Sequence, residues 1–148
     1  MKRRRDLETD WQGRLASDWQ VREFLRRYRR VAVVGLPADP RSDRVIEAER
    51  LLAYAFELYP VHSEVASFFG RQAYRHLHEI PGEVDIAWVL PEAPVSLLHL
   101  ATDAVRKGVK VFWMEAAPIE RDVAELLLGE GIAVVAERAL EQEFSRLL

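Results

Sequence analysis

Cysteine is absent from the 148 residues, and there are only four histidines. The first absence excludes disulfides, thiolate metal sites, iron–sulfur clusters and cysteine nucleophiles, and it fits a reducing compartment. A basic excess is missing too: 21 Lys and Arg face 24 Asp and Glu, for a net charge of -3. Nucleic acid is therefore not an expected partner, since phosphate-backbone binding calls for a basic surplus. No apolar run approaches the ~20 residues that span a bilayer. The basic opening Lys2-Arg3-Arg4-Arg5 runs into Asp6, Glu8 and Asp10 instead of the apolar core of a secretory signal. The expectation is a cytoplasmic protein with no membrane partner. No Gly-x-Ser-x-Gly elbow, Walker loop or His-Glu-x-x-His pair occurs, which leaves no catalytic residue and no metal ligand to nominate.

What is present reads as one globular domain, with 49% hydrophobic and 30% charged residues in a chain long enough to bury a single core. Residues 1–17 read as an arm with Trp11 as a docking anchor, and 18–148 as the domain. Ser17 and Gln20 have the spacing of a capping box, so a helix should follow, with Trp19, Phe24, Leu25 and Tyr28 on its apolar side. Arg22, Arg26, Arg27, Arg29 and Arg30 would lie opposite, as a solvated face or as a contact for an acidic partner.

From residue 31 onward, β-branched runs alternate with helical segments. Strands are expected over 31–35, 56–61, 84–90, 110–114 and 132–136. Helices are expected over 42–53, capped by Ser42, over 94–106, ended by Gly108, over 119–128, ended by Gly129, and over 140–148. A short segment near 65–69 closes at Gly70, and 74–78 reads as a further helical turn. This is the pattern of an α/β protein: a Rossmann-like, doubly wound, mainly parallel five-stranded sheet with helices on both faces. Ligands of such sheets bind beyond the carboxyl ends of the strands where strand order reverses, here among 35–42, 61–63, 90–94 and 115–118.

The loop after the first strand holds one glycine, Gly35, and not the three of a dinucleotide signature. Its position carries the reading: backbone can approach a ligand closely there, the following helix start offers unpaired N–H groups, and Arg41, Ser42 and Arg44 add donors. The second strand ends in Pro60-Val61-His62-Ser63 with no carboxylate at its tip, which disfavours an unmodified NAD ribose. His62 and Ser63 suit a neutral or anionic group such as an adenine ribose phosphate, or a surface without ligand. Asp85 and Glu115 are the carboxylates expected nearest the crevice, without evident partners. Trp88 and Trp113 are expected in the core, and His99 as a partly buried helix residue. His76 and His78 lack the acidic partners of a metal motif.

Taken in order, residues 31–36 with Pro40, Ser42, Arg44 and Val45, then Tyr59-Pro60-Val61, Gly70, Tyr74, Leu77, Ile80-Pro81 and Val84-Asp85, resemble the small stand-alone CoA-binding proteins. Gly108, Lys110, Trp113, Gly131, Val134-Val135, Arg138, Glu143 and Arg146-Leu147 continue the resemblance. That family's fold is related to the CoA-binding domain of the succinyl-CoA ligase alpha subunit. The resemblance implies non-catalytic binding of coenzyme A or an acyl-CoA, a small-molecule nucleotide cofactor. The loop Gly35, Leu36, Pro37, Arg41, Ser42 with Arg44 would hold phosphates, Pro60, Val61, His62 and Ser63 would sit at the adenosine end, and Leu90 and Pro91 would line the cleft. Departures from the family pattern fall at His62-Ser63, Leu90-Pro91, Glu115-Ala116-Ala117 and Ala139. They leave open a diverged member that serves as a protein-interaction module, with the arginine-rich helix and Trp11 holding a partner. An NADP-type oxidoreductase is a third reading. Helix-forming ends make a homodimer plausible.

Overall fold

The computed structural model describes residues 10–93, 96–115 and 119–148. The expected start of a helix at Pro94, the crevice residues Ala116, Ala117 and Pro118, and most of the expected arm lie outside the described residues.

The sheet has five strands, all parallel: β1 (Arg30–Val34), β2 (Glu57–Val61), β5 (Ile86–Val89), β6 (Val111–Met114) and β7 (Ala133–Ala136), in the order β2-β1-β5-β6-β7. Strand order reverses between β1 and β5, as the alternation predicts. The segment near 65–69 is a separate antiparallel ribbon, β3 (Ser67–Phe68) with β4 (Arg71–Gln72). The inner strands β1, β5 and β6 show no polar–apolar alternation because both sheet faces are covered there. Ala32, Val34, Ala87, Val89, Phe112 and Met114 face α3 (Leu97–Lys107) and α4 (Arg121–Gly129). Val31, Val33, Ile86, Trp88, Val111 and Trp113 face α1 (Asp18–Arg27), α2 (Asp43–Arg50) and α5 (Leu140–Leu147). Both tryptophans are core residues, as expected.

Local chemistry fixes the element ends. Ser17 Oγ accepts from Gln20 N while Gln20 Oε1 accepts from Ser17 N, the reciprocal box that starts α1. Val21, not Trp19, joins Leu25 in the core, and Trp19 is exposed. One turn of offset explains the difference, because Val21 lies four residues before Leu25 and so shares its face. The helix stops at Arg27, so Arg29 and Arg30 are not part of its polar side. Arg29 lies over the Phe56 ring, and Arg30 over Tyr59. The stretch expected as a turn over 74–78 is extended at His76 and coils only at Leu77–Glu79. Tyr74 bridges to Val61 there, exchanging bonds with Pro60 O and His62 N. Gly129 lies inside α4, and Gly131, at φ +77°, makes the left-handed exit.

The described end of the arm docks on the chain's own core. Trp11 and Leu15 pack against the α3–α4 face, and Ala16 N donates to Val134 O at the open edge of β7. Trp11 is thereby occupied at home.

Asp18, at the start of α1, receives Arg138 and Arg146 at 2.5 and 3.0 Å, tying that helix to α5. Those guanidiniums hold its carboxyl below the usual aspartate value. A depressed carboxyl contributes its full stabilisation above its ordinary titration range and loses it as pH falls through the lowered value. Contact between α1 and α5 should therefore be unchanged from neutral pH down to about pH 5 and loosen in stronger acid. Asp18→Asn should remove that acid step from the unfolding curve followed by circular dichroism.

Candidate functional site

The point of strand reversal is tightly closed. β1 ends at Val34, whose carbonyl accepts from Leu90 N at 2.8 Å, and Leu90 O accepts from Ala93 N at 3.1 Å. Gly35 follows at φ +104°, and a Cβ there would stand 2.9 Å from Ala93 N and Cα. Two backbone turns thus meet with no side chain between them, and the crevice opens to either face of the sheet.

Within the loop after β1, part of the donor set is already in use. Asp39 Oδ1 takes Arg41 N at 2.9 Å, Asp39 O takes Ser42 N at 3.1 Å, and Ser42 Oγ takes Arg44 N at 3.3 Å, which caps α2. Among the described residues nothing accepts from the amides of Gly35, Leu36, Ala38 or Asp43. Those four amides are what the turn can offer an anion.

On the α2–α5 side lies a cavity of about 530 Å³ whose lining includes Arg44, Trp88, Pro91, Glu115 and Glu141. Glu115, expected as an unpartnered or exposed carboxylate, is instead the hub of this wall, its side chain 5% exposed. Its Oε2 accepts from Trp88 Nε1 at 2.5 Å and Leu140 N at 3.1 Å, and its Oε1 from Arg44 at 3.2 Å. Arg44 also meets Glu92 at 3.4 Å and Glu47 at 3.6 Å. A guanidinium shared among three carboxylates has little charge left for a phosphate, so Arg44 acts as an internal brace. Asp85 is placed at the opposite end of the sheet: it accepts from Arg29 N, Arg30 N and Lys110 Nζ beside the amino end of β5.

On the α3 side a smaller cavity of about 130 Å³ opens beside Gly35. Val34, Val61, Leu77 and Leu100 make its apolar floor, and His62, Ser63, Arg75, His76, His99 and Asp103 its polar wall. The ring of His62 closes its own turn, Nδ1 accepting from Glu64 N at 3.0 Å and Val65 N at 2.9 Å. A nitrogen that accepts two amides carries no proton, so the ring proton sits on Nε2. An asparagine side-chain oxygen closes such turns in the same way. Asp103, almost fully buried, binds His78 Nδ1 at 2.6 Å, and the His78 ring stacks on His76 with centroids 5.3 Å apart. His99 is exposed in the first turn of α3, after Ser96, rather than partly buried. His62, His76 and His99 therefore line one cavity, and His78 touches its wall through Asp103 and His76. Among the described residues no His, Asp and Glu group is arranged to hold a metal ion.

Of the residues picked from sequence, Gly35, Val61, His62 and Ser63 meet at the smaller cavity, whereas Arg44 and Pro91 line the larger. Leu36, Leu90 and Pro60 are buried and line neither cavity, Pro37 and Ser42 are partly covered, and Arg41 is exposed beside Asp39. Arg75, His76, His99 and Asp103 were not picked. Their elements, the extended run after β4 and the start of α3, are joined to the crevice only by the tertiary bridge at Tyr74 and the packing of α3.

The family model for the CoA binding domain matches residues 29–144. The Bacillus subtilis protein YneT, itself uncharacterized, is 25% identical over 122 residues, 82% of this chain and 90% of its own. A hypothetical protein from Pyrococcus horikoshii superposes with a TM-score of 0.79 at 26% identity over 99% of both chains. A Thermus thermophilus structure superposes at 0.80 with 24% identity, covering 90% of this chain and all of its own, which speaks for the fold. Among the described residues no helix is long and apolar enough to cross a membrane.

Proposed function

This chain belongs to the CoA binding domain family, and from that premise we propose that it binds coenzyme A or an acyl-CoA at the Gly35 crevice without transforming it. The observation that carries this reading is the set of amides at Gly35, Leu36, Ala38 and Asp43 that find no acceptor among the described residues, with Gly35 on the smaller cavity and Asp43 on the larger. A pyrophosphate accepts several such bonds at once, in the field of a helix start, and each aligned donor contributes about 1 kcal/mol or more to an anion. Arg41, with its side chain 93% exposed and paired with the exposed Asp39 at 3.7 Å, is a cation able to swing toward that charge. Pro37 and Ser42 shape the loop. Pro60, Val61, His62 and Ser63 form the adenosine end, and Leu90 and Pro91 the cleft wall along which the pantetheine arm runs.

Calorimetry with the full chain checks this. CoA should bind with micromolar affinity, and pantetheine, which lacks the phosphates, should give no heat. Folded protein that stays silent at millimolar CoA removes the proposal. Trp88, on the wall of the larger cavity, supplies an independent fluorescence signal.

A further inference from the structure

We propose that α1 is the contact face of a two-fold homodimer, in which Trp19 of each copy enters the groove beside Phe24 and Tyr28 of the other. The cofactor reading is not a premise here, because this groove lies at the amino ends of β6 and β7, away from the Gly35 crevice.

Trp19 is 70% exposed, the most open large apolar side chain among the described residues. It shares a stripe of α1 with Glu23 and Arg27, one and two turns on, and with Phe24 these flank a shallow depression. Phe24 also walls a second depression of about 410 Å³, together with Tyr28, Val105, Val109 and Ile132. The Phe24 and Tyr28 rings are stacked there, and Lys110 and Glu130 stand on the rim. An apolar knob and an apolar groove therefore adjoin on one surface. Trp19 and Tyr28 are nine residues apart, about 13 Å along the helix, too far for the indole to fill its own groove. A second copy brings them together. A two-fold axis crossing α1 between Glu23 and Phe24 runs the two helices antiparallel and sets each Trp19 opposite Tyr28 of the other copy.

Charge selects a second copy as the occupant. Arg22, one turn from Trp19, has no ion-pair partner among the described residues, and neither has Glu130 on the groove rim. In the antiparallel arrangement Arg22 travels with Trp19 to the groove and meets that carboxylate. Arg27, likewise unpaired among the described residues, comes beside the indole of the other copy, where a guanidinium is attracted to the aromatic face. The neighbouring charges are already neutralised within the chain. Glu23 holds Arg26 at 3.9 Å, Asp85 and Glu83 hold Lys110, and Arg138 and Arg146 hold Asp18. Each charge left over on one copy thus finds its complement on the other, and each contact is made twice about the axis. A uniformly acidic or basic partner would leave either Arg22 or Glu130 facing a like charge. Two indoles and two groove walls make a patch at the small end of stable interfaces, so the association should be micromolar.

Sedimentation equilibrium on the full chain at about 100 μM, well above such a dissociation constant, tests this. The parent should run as a dimer. Trp19→Ala, Arg22→Glu and Glu130→Arg should each run as monomers, with association at least tenfold weaker. All three side chains lie on the surface, so each variant should keep the circular dichroism of the parent. An equimolar mixture of Arg22→Glu and Glu130→Arg should regain the dimer mass, because both contacts of the mixed pair then join opposite charges. A monomeric parent overturns the proposal. So does a dimer that persists in all three folded variants, which would lie on another face. A mixture that stays monomeric overturns the pairing of Arg22 with Glu130, and masses beyond the dimer overturn the two-fold axis.

Discussion

Glu115→Ala should lower folding stability by about 3 kcal/mol, seen as a fall of roughly 10 °C in the thermal midpoint. The Glu115 carboxylate is almost wholly buried, yet three donors converge on it: the Trp88 indole, the Leu140 amide that opens α5, and the Arg44 guanidinium. Removing it strands an indole N–H and a backbone N–H in the wall and leaves Arg44 to Glu47 and Glu92. Each stranded neutral donor costs about 1–3 kcal/mol, while Arg44, partly open to water, recovers some of its loss. Glu115→Gln should fall between, since its amide oxygen can still accept from Trp88 Nε1 and Leu140 N while its NH2 faces a guanidinium. Urea unfolding followed by tryptophan fluorescence reads both variants, because Trp88 reports directly on the broken bond. A loss below about 1 kcal/mol for the alanine variant would mean that Glu115 is not the hub its geometry describes.

Glu115 also marks where sequence reasoning stops. The strands were legible because β-branched runs without alternation have one explanation, burial on both faces, and the helix starts at Ser17 and Ser42 were legible because their caps are local. Glu115 follows a strand and reads as an exposed end charge. Its partners come from β5, α2 and α5, and only the folded sheet brings these together. The same limit explains Arg44. Spacing places it at a helix start facing an anion, but nothing local shows that Glu92 and Glu115, 48 and 71 residues away, will claim it. Local signals place Gly35, Val61, His62 and Ser63 at strand ends, and the structure sets all four on one cavity. The other half of the smaller cavity depends on a loop being threaded beside β2 at Tyr74, an arrangement without periodicity for a pattern to catch.

Gly35→Ala carries the largest functional consequence, because it acts on the fold and on the proposed anion turn together. Alanine at φ +104° costs about 1–3 kcal/mol of backbone strain. Its methyl would also press on Ala93 N and Cα, backbone atoms that cannot rotate aside, so the turn after β5 must move. The lower unfolded-state entropy of alanine returns only about 0.4–1 kcal/mol. The net loss should be about 3 kcal/mol. Gly131→Ala is the control: its φ is similarly positive, at +77°, but no atom lies within 4 Å of the added carbon. It should lose only the strain, about 1–2 kcal/mol, and leave CoA affinity untouched, because it sits at the exit of α4. The difference between the two variants isolates the contact at Ala93. For Gly35→Ala, displacement of the open amides at Gly35 and Leu36 should weaken CoA at least tenfold at a temperature where the variant is fully folded. A Gly35→Ala protein that binds CoA like the parent would show that these amides do not hold the ligand, whatever the change in stability.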